Sequence, residues 1–328
     1  MSHPCISIIV PCYNQAHFLS DAIESLLQQT FTDWECIIVN DGSTDNTEEI
    51  AQDLSREDER IRVITQQNKG LSAARNTGGY YAKGEFLQFL DADDKIEMSK
   101  LAIQLEYLKS HPEIDVVFSD ARYFTTEDPQ LREHGFIEHQ MKCSWIAALW
   151  EKPGSCFEKL LSQCIFAVNC PLVKRSVFES VGFWNENLEA LEDWEFWLRC
   201  SNSNIKFFFN NTADTLALIR MHSVSMSRDS TRMQKAAVEM RIGIGNSLKN
   251  PAHRLINFKE GLSVLHLINT PNTTKQFIKL TASNFCLPVF LSASNYLIQN
   301  SYFFKIFNGF YKSVVPWSIQ QTFKRLFS

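Results

Sequence analysis

The sequence lacks a GxGxxG turn behind its first apolar run, where PCYNQA (residues 11–16) stands instead, and it has no GxxxxGK[ST] segment. A glycine loop wrapped around phosphates is therefore excluded as the means of holding a nucleotide. It also lacks any CxxC pair, and its nine cysteines are an odd number. That argues against a zinc ribbon or a disulfide scaffold and for a reduced protein with buried thiols. No basic stretch followed by a long apolar core opens the chain, so no signal peptide is expected and the protein is expected to stay in the cytoplasm. The net charge of −5 gives no electrostatic case for wrapping nucleic acid. Acidic residues are missing altogether after Glu260, where Lys275, Lys279, Lys305, Lys312, Lys324 and Arg325 stand alone. Such an asymmetry between chain ends points to contact with an anionic surface.

What is present is a large apolar fraction, 45% of 328 residues, enough for one catalytic-sized domain (1–230) and a helical appendage (231–328). Cys5–Val10 reads as a buried strand ended by Pro11, and Phe18–Gln28 has helical apolar spacing. Glu35–Asn40 is a second strand, followed by the turn Asp41-Gly42-Ser43. Asp45 with Glu48 fits a capping box opening a helix to about Leu54. Ile61–Thr65 and Phe86–Leu90 read as further strands, with a helix over Ser72–Tyr81 between them. Ile205–Phe209 and Thr215–Arg220 fit two more strands, and the pattern is helical from about Thr231. Strands alternating with helices predict an α/β fold whose mainly parallel sheet is covered on both faces. Ligands of such sheets bind at the carboxyl ends of the strands. Three polar clusters fall there, Pro11–Gln15, Asp41–Asp45 and Asp91–Asp94, and should converge on one crevice.

The segment LQFLDADDKIEMSK (residues 87–100) gathers three mutually repelling carboxylates, Asp91, Asp93 and Asp94. A cation held among them is the expected reason. Asp91 and Asp93, at i and i+2 on leaving a strand, can both reach one hard divalent ion, with water and phosphate oxygens completing its shell. A solvated loop or a helix cap is the alternative for any isolated DxD.

Taken in order, IVPCYNQAHFL, IIVNDGSTDNT, QQNKGLSAARNTG and FLQFLDADD, with the later LEDWEFWLR and IRMHSVSMS, resemble the family 2 glycosyltransferases of the GT-A fold over residues 4–228. The resemblance implies an inverting transferase acting on a nucleotide-diphosphate sugar, with a UDP-sugar favoured and thymidine sharing the same base edge. Pro11 and Tyr13 would line the base pocket, and Asp41 would accept the N3–H of a uracil-type base. Arg75 would lie by the base or the diphosphate, and Asp91 would meet the ribose. Asn14, Asn68, Gly70 and Ala92 belong to the same donor-binding set. Asp93 would hold Mn2+ or Mg2+, and Asp193 would be the general base, with Glu192 the neighbouring alternative. His222 either ligates the ion, touches the diphosphate or is structural. Trp194 and Trp197, flanking Asp193, either line a sugar pocket or belong to the core. The implied acceptor is a glycan or a lipid-linked hydroxyl, in assembly of a cell-surface polysaccharide. Two other readings stand beside this one. A non-catalytic carbohydrate-binding protein could retain the fold, and a phosphotransferase could use a strand-end DxD. The latter needs its pair after an early strand with a Thr or Val following, whereas Asp94 and Lys95 follow here.

In the tail, Leu280–Phe304 holds no charged residue for 25 positions, but nine polar side chains and Pro288 argue against a membrane span. Phe303, Phe307, Phe310 and Val314 recur at helical spacing beside Lys305 and Lys312. This suits peripheral contact with an anionic membrane at the inner face of the cell membrane. A lid on the catalytic domain or a homodimer interface accounts for the same pattern.

Overall fold

A computed structural model describes residues 3–134, 145–150, 155–223 and 225–268. The chain forms two units, Met1–Arg228 and Asp229–Ser328. In the first unit, the strands β1 (Ile6–Cys12) and β2 (Trp34–Asn40) are buried at every position. Continuous burial is what a parallel strand covered on both faces requires. With β3 (Ile61–Thr65) and β4 (Phe86–Phe89) they form the parallel half of a seven-stranded sheet. Helices α1 (Ala16–Leu27), α2 (Thr47–Glu57) and α3 (Leu71–Tyr81) supply its crossovers. β8 (Pro171–Lys174) then runs antiparallel to both β4 and β6 (Val116–Phe118), and β9 (Phe207–Phe209) closes the edge, in the order β3-β2-β1-β4-β8-β6-β9. Because β8 runs against β4, the residues that precede it arrive where β4 ends. A second sheet joins β5 (Lys95–Ile96), β10 (Ala217–Met221) and β7 (Ala121–Thr125), with β10 in the middle.

Two local expectations are corrected. Pro11 does not end the first strand: pairing with β2 continues to Cys12 opposite Asn40. Pairing with β4 stops at Ile9, so Pro11 lies where β1 has a neighbour on one side only, the setting that tolerates a missing N–H. The capping box at Asp45 and Glu48 does not form either. Asp45 instead accepts hydrogen bonds from the Thr47 amide and hydroxyl and from the Ala16 amide, at 3.1, 2.6 and 3.1 Å. Glu48 is drawn to Asn40 and Thr65, both at 2.6 Å. Among the described residues a capping box does form between Ser155 and Glu158 at the start of α6 (Cys156–Ser162), after α4 (Lys100–Ser110) and α5 (Trp145–Trp150).

The aromatic-rich middle of the chain builds core. Trp184 packs on Phe196 with ring centroids 4.5 Å apart, Phe178 stacks on Phe196 at 4.6 Å, and Trp197 is fully buried among them. Of the two readings of Trp197, core is the one realised. Trp194, half-buried, donates its indole N–H to the Leu160 carbonyl at 2.7 Å. The seven cysteines among the described residues are free thiols. In the second unit, α9 (Ser230–Ser247) packs on α10 (Pro251–Ile268), after α7 (Arg175–Val181) and α8 (Glu192–Asn202) of the first. The buried Arg241 and Asn257 exchange hydrogen bonds between the two helices. No helix among the described residues is long and apolar enough to cross a membrane. The tail readings at Leu280–Phe304 and Phe303–Val314 lie outside the described residues.

Candidate active site

The candidate site is built from adjacent strand ends, where the polar loops meet as the sequence predicts. β1 and β2 finish side by side, and the two loops that follow are stitched together by Asn14. This residue adopts a left-handed turn (φ 54°), donates its N–H to Ser43 Oγ at 2.9 Å and accepts the Thr44 N–H at 2.7 Å. Near the end of β1 Pro11 is buried, and just past that end Tyr13 is turned outward, 47% exposed.

Asp41 opens the second loop and is buried, yet its carboxylate has three protein donors. Gln66 Nε2 and the Lys69 N–H bind Oδ1 at 2.7 and 2.9 Å, and the Gly70 N–H binds Oδ2 at 2.8 Å. A carboxylate has about four lone-pair sites, so roughly one is left for a base. Gly42 (φ 72°) makes this folding-over practicable: a Cβ there would lie 2.7 Å from the Asn68 amide nitrogen. Asn68 itself is exposed, and Gly70 (φ 90°) opens α3.

One turn into α3, Arg75 leaves the expected track. Its guanidinium is 2% exposed and spans two carboxylates, Asp91 at 2.7 Å and Glu192. The Trp184 ring lies 5.5 Å away. Arg75 therefore ties the end of β4 to the start of α8. Burial lifts the Asp91 carboxyl above the usual range, with Arg75 pulling the other way. Asp91 keeps 30% of its side chain exposed, next to the buried Ala92.

Helix α8 follows Leu191, a left-handed residue at φ 61°, and begins with Glu192 and Asp193. Acidic residues suit that end of a helix, where unpaired N–H groups point outward. The one-residue offset separates their fates. Glu192 is buried against Arg75. Asp193 forms no salt bridge among the described residues and takes only the Trp194 N–H, at 2.7 Å. Burial first, and then the Glu192 charge, push the Asp193 carboxyl up to about 7. A carboxylate tuned to that value can accept a proton at neutral pH.

At the other side of the acidic turn, Asp93 Oδ2 lies 2.8 Å from His222 Nε2, with the Gln15 amide 3.5 Å away. The imidazole rests against Phe18, and its Nδ1 is buried without a partner. β10 delivers His222, one residue past Met221. No group of three or more His, Cys, Asp or Glu side chains among the described residues is placed for a metal. One carboxylate and one imidazole at neighbouring-ligand spacing fit a Mg2+ or Mn2+ ion that takes the rest of its shell from phosphate oxygens and water. Asp94 does not join them, which corrects the expectation of an acidic trio around one ion. Its two oxygens are taken by the Asn169 side-chain amide and by the Arg220 N–H, the latter at 2.7 Å. Burial, then Asp93 and Asp91, lift its carboxyl well above the usual range. Asn169 and Arg220 carry no signal of this role in the sequence beyond Arg220 standing two places before His222.

The family model described as glycosyl transferase family 2 matches residues 7–182. An uncharacterized glycosyltransferase, EpsJ of Bacillus subtilis, is 53% identical over 93 residues, covering 28% of this chain and 27% of its own. TuaG of the same organism, a putative teichuronic acid biosynthesis glycosyltransferase, is 42% identical over 106 residues, 32% of this chain and 42% of its own. The matched stretch thus spans less than half the length of either relative. Among solved structures, Staphylococcus aureus TarS 1-349 in complex with UDP-GlcNAc superposes with a TM-score of 0.61 at 19% identity, over 85% of this chain and 82% of that one. The mannosyltransferase PcManGT of Pyrobaculum calidifontis, in complex with GDP-Man and Mn2+, gives 0.57 at 17% identity, over 93% and 83%. At such identities the structural likeness establishes the GT-A fold.

Proposed function

The chain belongs to glycosyl transferase family 2, and from that membership we propose that it moves a sugar from a nucleoside diphosphate to an acceptor hydroxyl with inversion. Tyr13 and Pro11 face the base, and Asp41 offers its remaining lone pair to the N3–H of uracil. A UDP-sugar donor is further supported by UDP-GlcNAc in the TarS complex. Asp91 meets the ribose. Asp93 and His222 hold the divalent cation, which when bound offsets the charge that develops on the departing diphosphate. Asp193 takes the proton of the acceptor hydroxyl. The acceptor oxygen bonds to the anomeric carbon as the carbon–phosphate-oxygen bond breaks, and the nucleoside diphosphate leaves with the electron pair. Attack from the face opposite the leaving group inverts the anomeric centre. Arg75 binds neither base nor diphosphate in this reading; it holds Asp91 and Glu192 in place, which removes Glu192 as the competing base.

The carrying observation is the divergence of the two α8 carboxylates, one locked to Arg75 and the other pushed up to about 7 with no salt bridge among the described residues. One carboxylate neutralised by an ion pair beside another raised towards neutral pH is the arrangement that acid–base chemistry uses. The acceptor is a glycan or lipid-linked hydroxyl of a cell-surface polysaccharide. The name of TuaG and the basic, acid-free tail support this. Asp193→Asn decides the matter. Donor binding with Mn2+ by calorimetry should persist, while release of nucleoside diphosphate falls by about 10²–10⁴-fold. Transfer at the wild-type rate overturns the assignment.

A further inference from the structure

Asn169 stands at the end of the loop that enters β8 and is 1% exposed. Its side-chain amide faces the acidic turn from inside the sheet and engages both ends of it. Oδ1 accepts the Asp91 N–H at 2.9 Å, and Nδ2 donates to Asp94 Oδ2. Only this orientation of the amide satisfies both neighbours, since an N–H requires an acceptor and a carboxylate a donor. The Asn169 carbonyl is itself held by Gln88 Nε2 at 3.0 Å. From the opposite side, Arg220 grips the same turn. Its N–H reaches Asp94 Oδ1 at 2.7 Å and its Nε the Asp93 carbonyl at 2.8 Å. Its guanidinium lies between the Phe18 and Phe124 rings, 4.8 and 4.6 Å from their centroids, and also bonds Asp21 at 2.7 Å.

Asp94 is thus the shared member of a clamp running from β8 through the acidic turn to β10. We propose that the Asn169–Asp94 pair is a positioning device for the cation site: it fixes the turn that carries Asp91 and Asp93 and, through Arg220, the strand that brings His222 to Asp93. This rests on the function proposed above. The consequence is that cation affinity depends on an asparagine that touches neither cation nor donor, as partners one step removed from a metal ligand commonly do.

The pair has a chemical symmetry that tests the idea. Asn169→Asp sets two carboxylates face to face, and Asp94→Asn sets two amide groups face to face. Asn169→Asp combined with Asp94→Asn restores every donor and acceptor. The carboxylate then standing on the β8 side would accept from the Asp91 N–H and from the new amide of the turn, whose oxygen would accept from Arg220. The full-length chain is titrated with Mn2+ in the presence of UDP, and with UDP alone under chelator. Each single change is expected to raise the Mn2+ concentration at half-saturation by about 10–100-fold, and the double change to return it to within about threefold of wild type. Cation-free UDP affinity should fall much less than Mn2+ affinity in the single variants, because only the Asp91 ribose contact then depends on the turn, whereas a general loosening of the fold would lower both alike. Should neither single variant fold, the double variant decides alone, and a tenfold or greater loss of Mn2+ affinity in it overturns the clamp. Folded single variants with wild-type Mn2+ affinity overturn it too. A wild-type protein that takes up no Mn2+ with UDP sinks the functional reading and the clamp together, whereas normal wild-type uptake with indifferent variants sinks the clamp only.

Discussion

At the scale of single residues, Asp193, the proposed base, links reactivity to stability. Its folded carboxyl titrates near 7, above the unfolded value near 3.9. Between these values the folded state binds the proton more tightly than the unfolded state does, so this group's contribution to stability falls as pH rises from about 4 to 7. Two outcomes follow. The kcat/KM of the wild type should climb with pH and level off above about 7, because the base works only when unprotonated. Asp193→Asn should melt at a higher temperature than the wild type above pH 7, with the gap closing as pH is lowered towards 4. Thermal melts across that range check the second outcome without any substrate. Arg75 shows the limit of residue-level reading. Its place in QQNKGLSAARNTG marks it as functional, but which groups its guanidinium meets depends on Glu192, 117 positions away, and no local pattern reports that.

At the scale of elements, α3 rests on β1 so closely that Gly78 has no room for a side chain. A Cβ there would lie 2.3 Å from Ile9 Cγ2. Gly78→Ala should therefore cost about 1–3 kcal/mol of stability, as overpacking does. In an Ile9→Ala background the same change should cost less, and urea midpoints of the four proteins give the coupling. Elements were the most legible level of this sequence. The four parallel strands and their crossovers follow from short β-branched runs alternating with helical spacing, and the three polar clusters do converge at the ends of β1, β2 and β4. What local pattern missed arose where side chains had competing partners. Glu48 has the spacing of a capping box, but Asn40 and Thr65 offer it better-placed donors across β2 and β3. Asp94 looks like a third cation ligand until β8, reversed against β4, brings Asn169 alongside. Asp93 and His222, named separately from the sequence, are joined only because β10 inserts between β5 and β7.

At the scale of the whole molecule, charge is the ordering variable. The acidic residues end at Glu260, and six basic ones follow without a counterweight. Full-length protein should float with anionic liposomes and do so less as salt is raised, whereas a chain ending near residue 270 should stay behind. Equal behaviour of the two, with no flotation of either, would leave the tail as a packing or self-association segment.

The pairing of Asp93 with His222 spans 129 positions of chain. Translation at about 5–20 residues per second puts roughly ten seconds between the appearance of one partner and the other. On the proposed reading, a nascent polypeptide that has already shaped its nucleoside pocket still lacks the cation site needed to grip the pyrophosphate. Ribosome-bound fragments ending before β10 would be spared premature capture of a costly sugar donor.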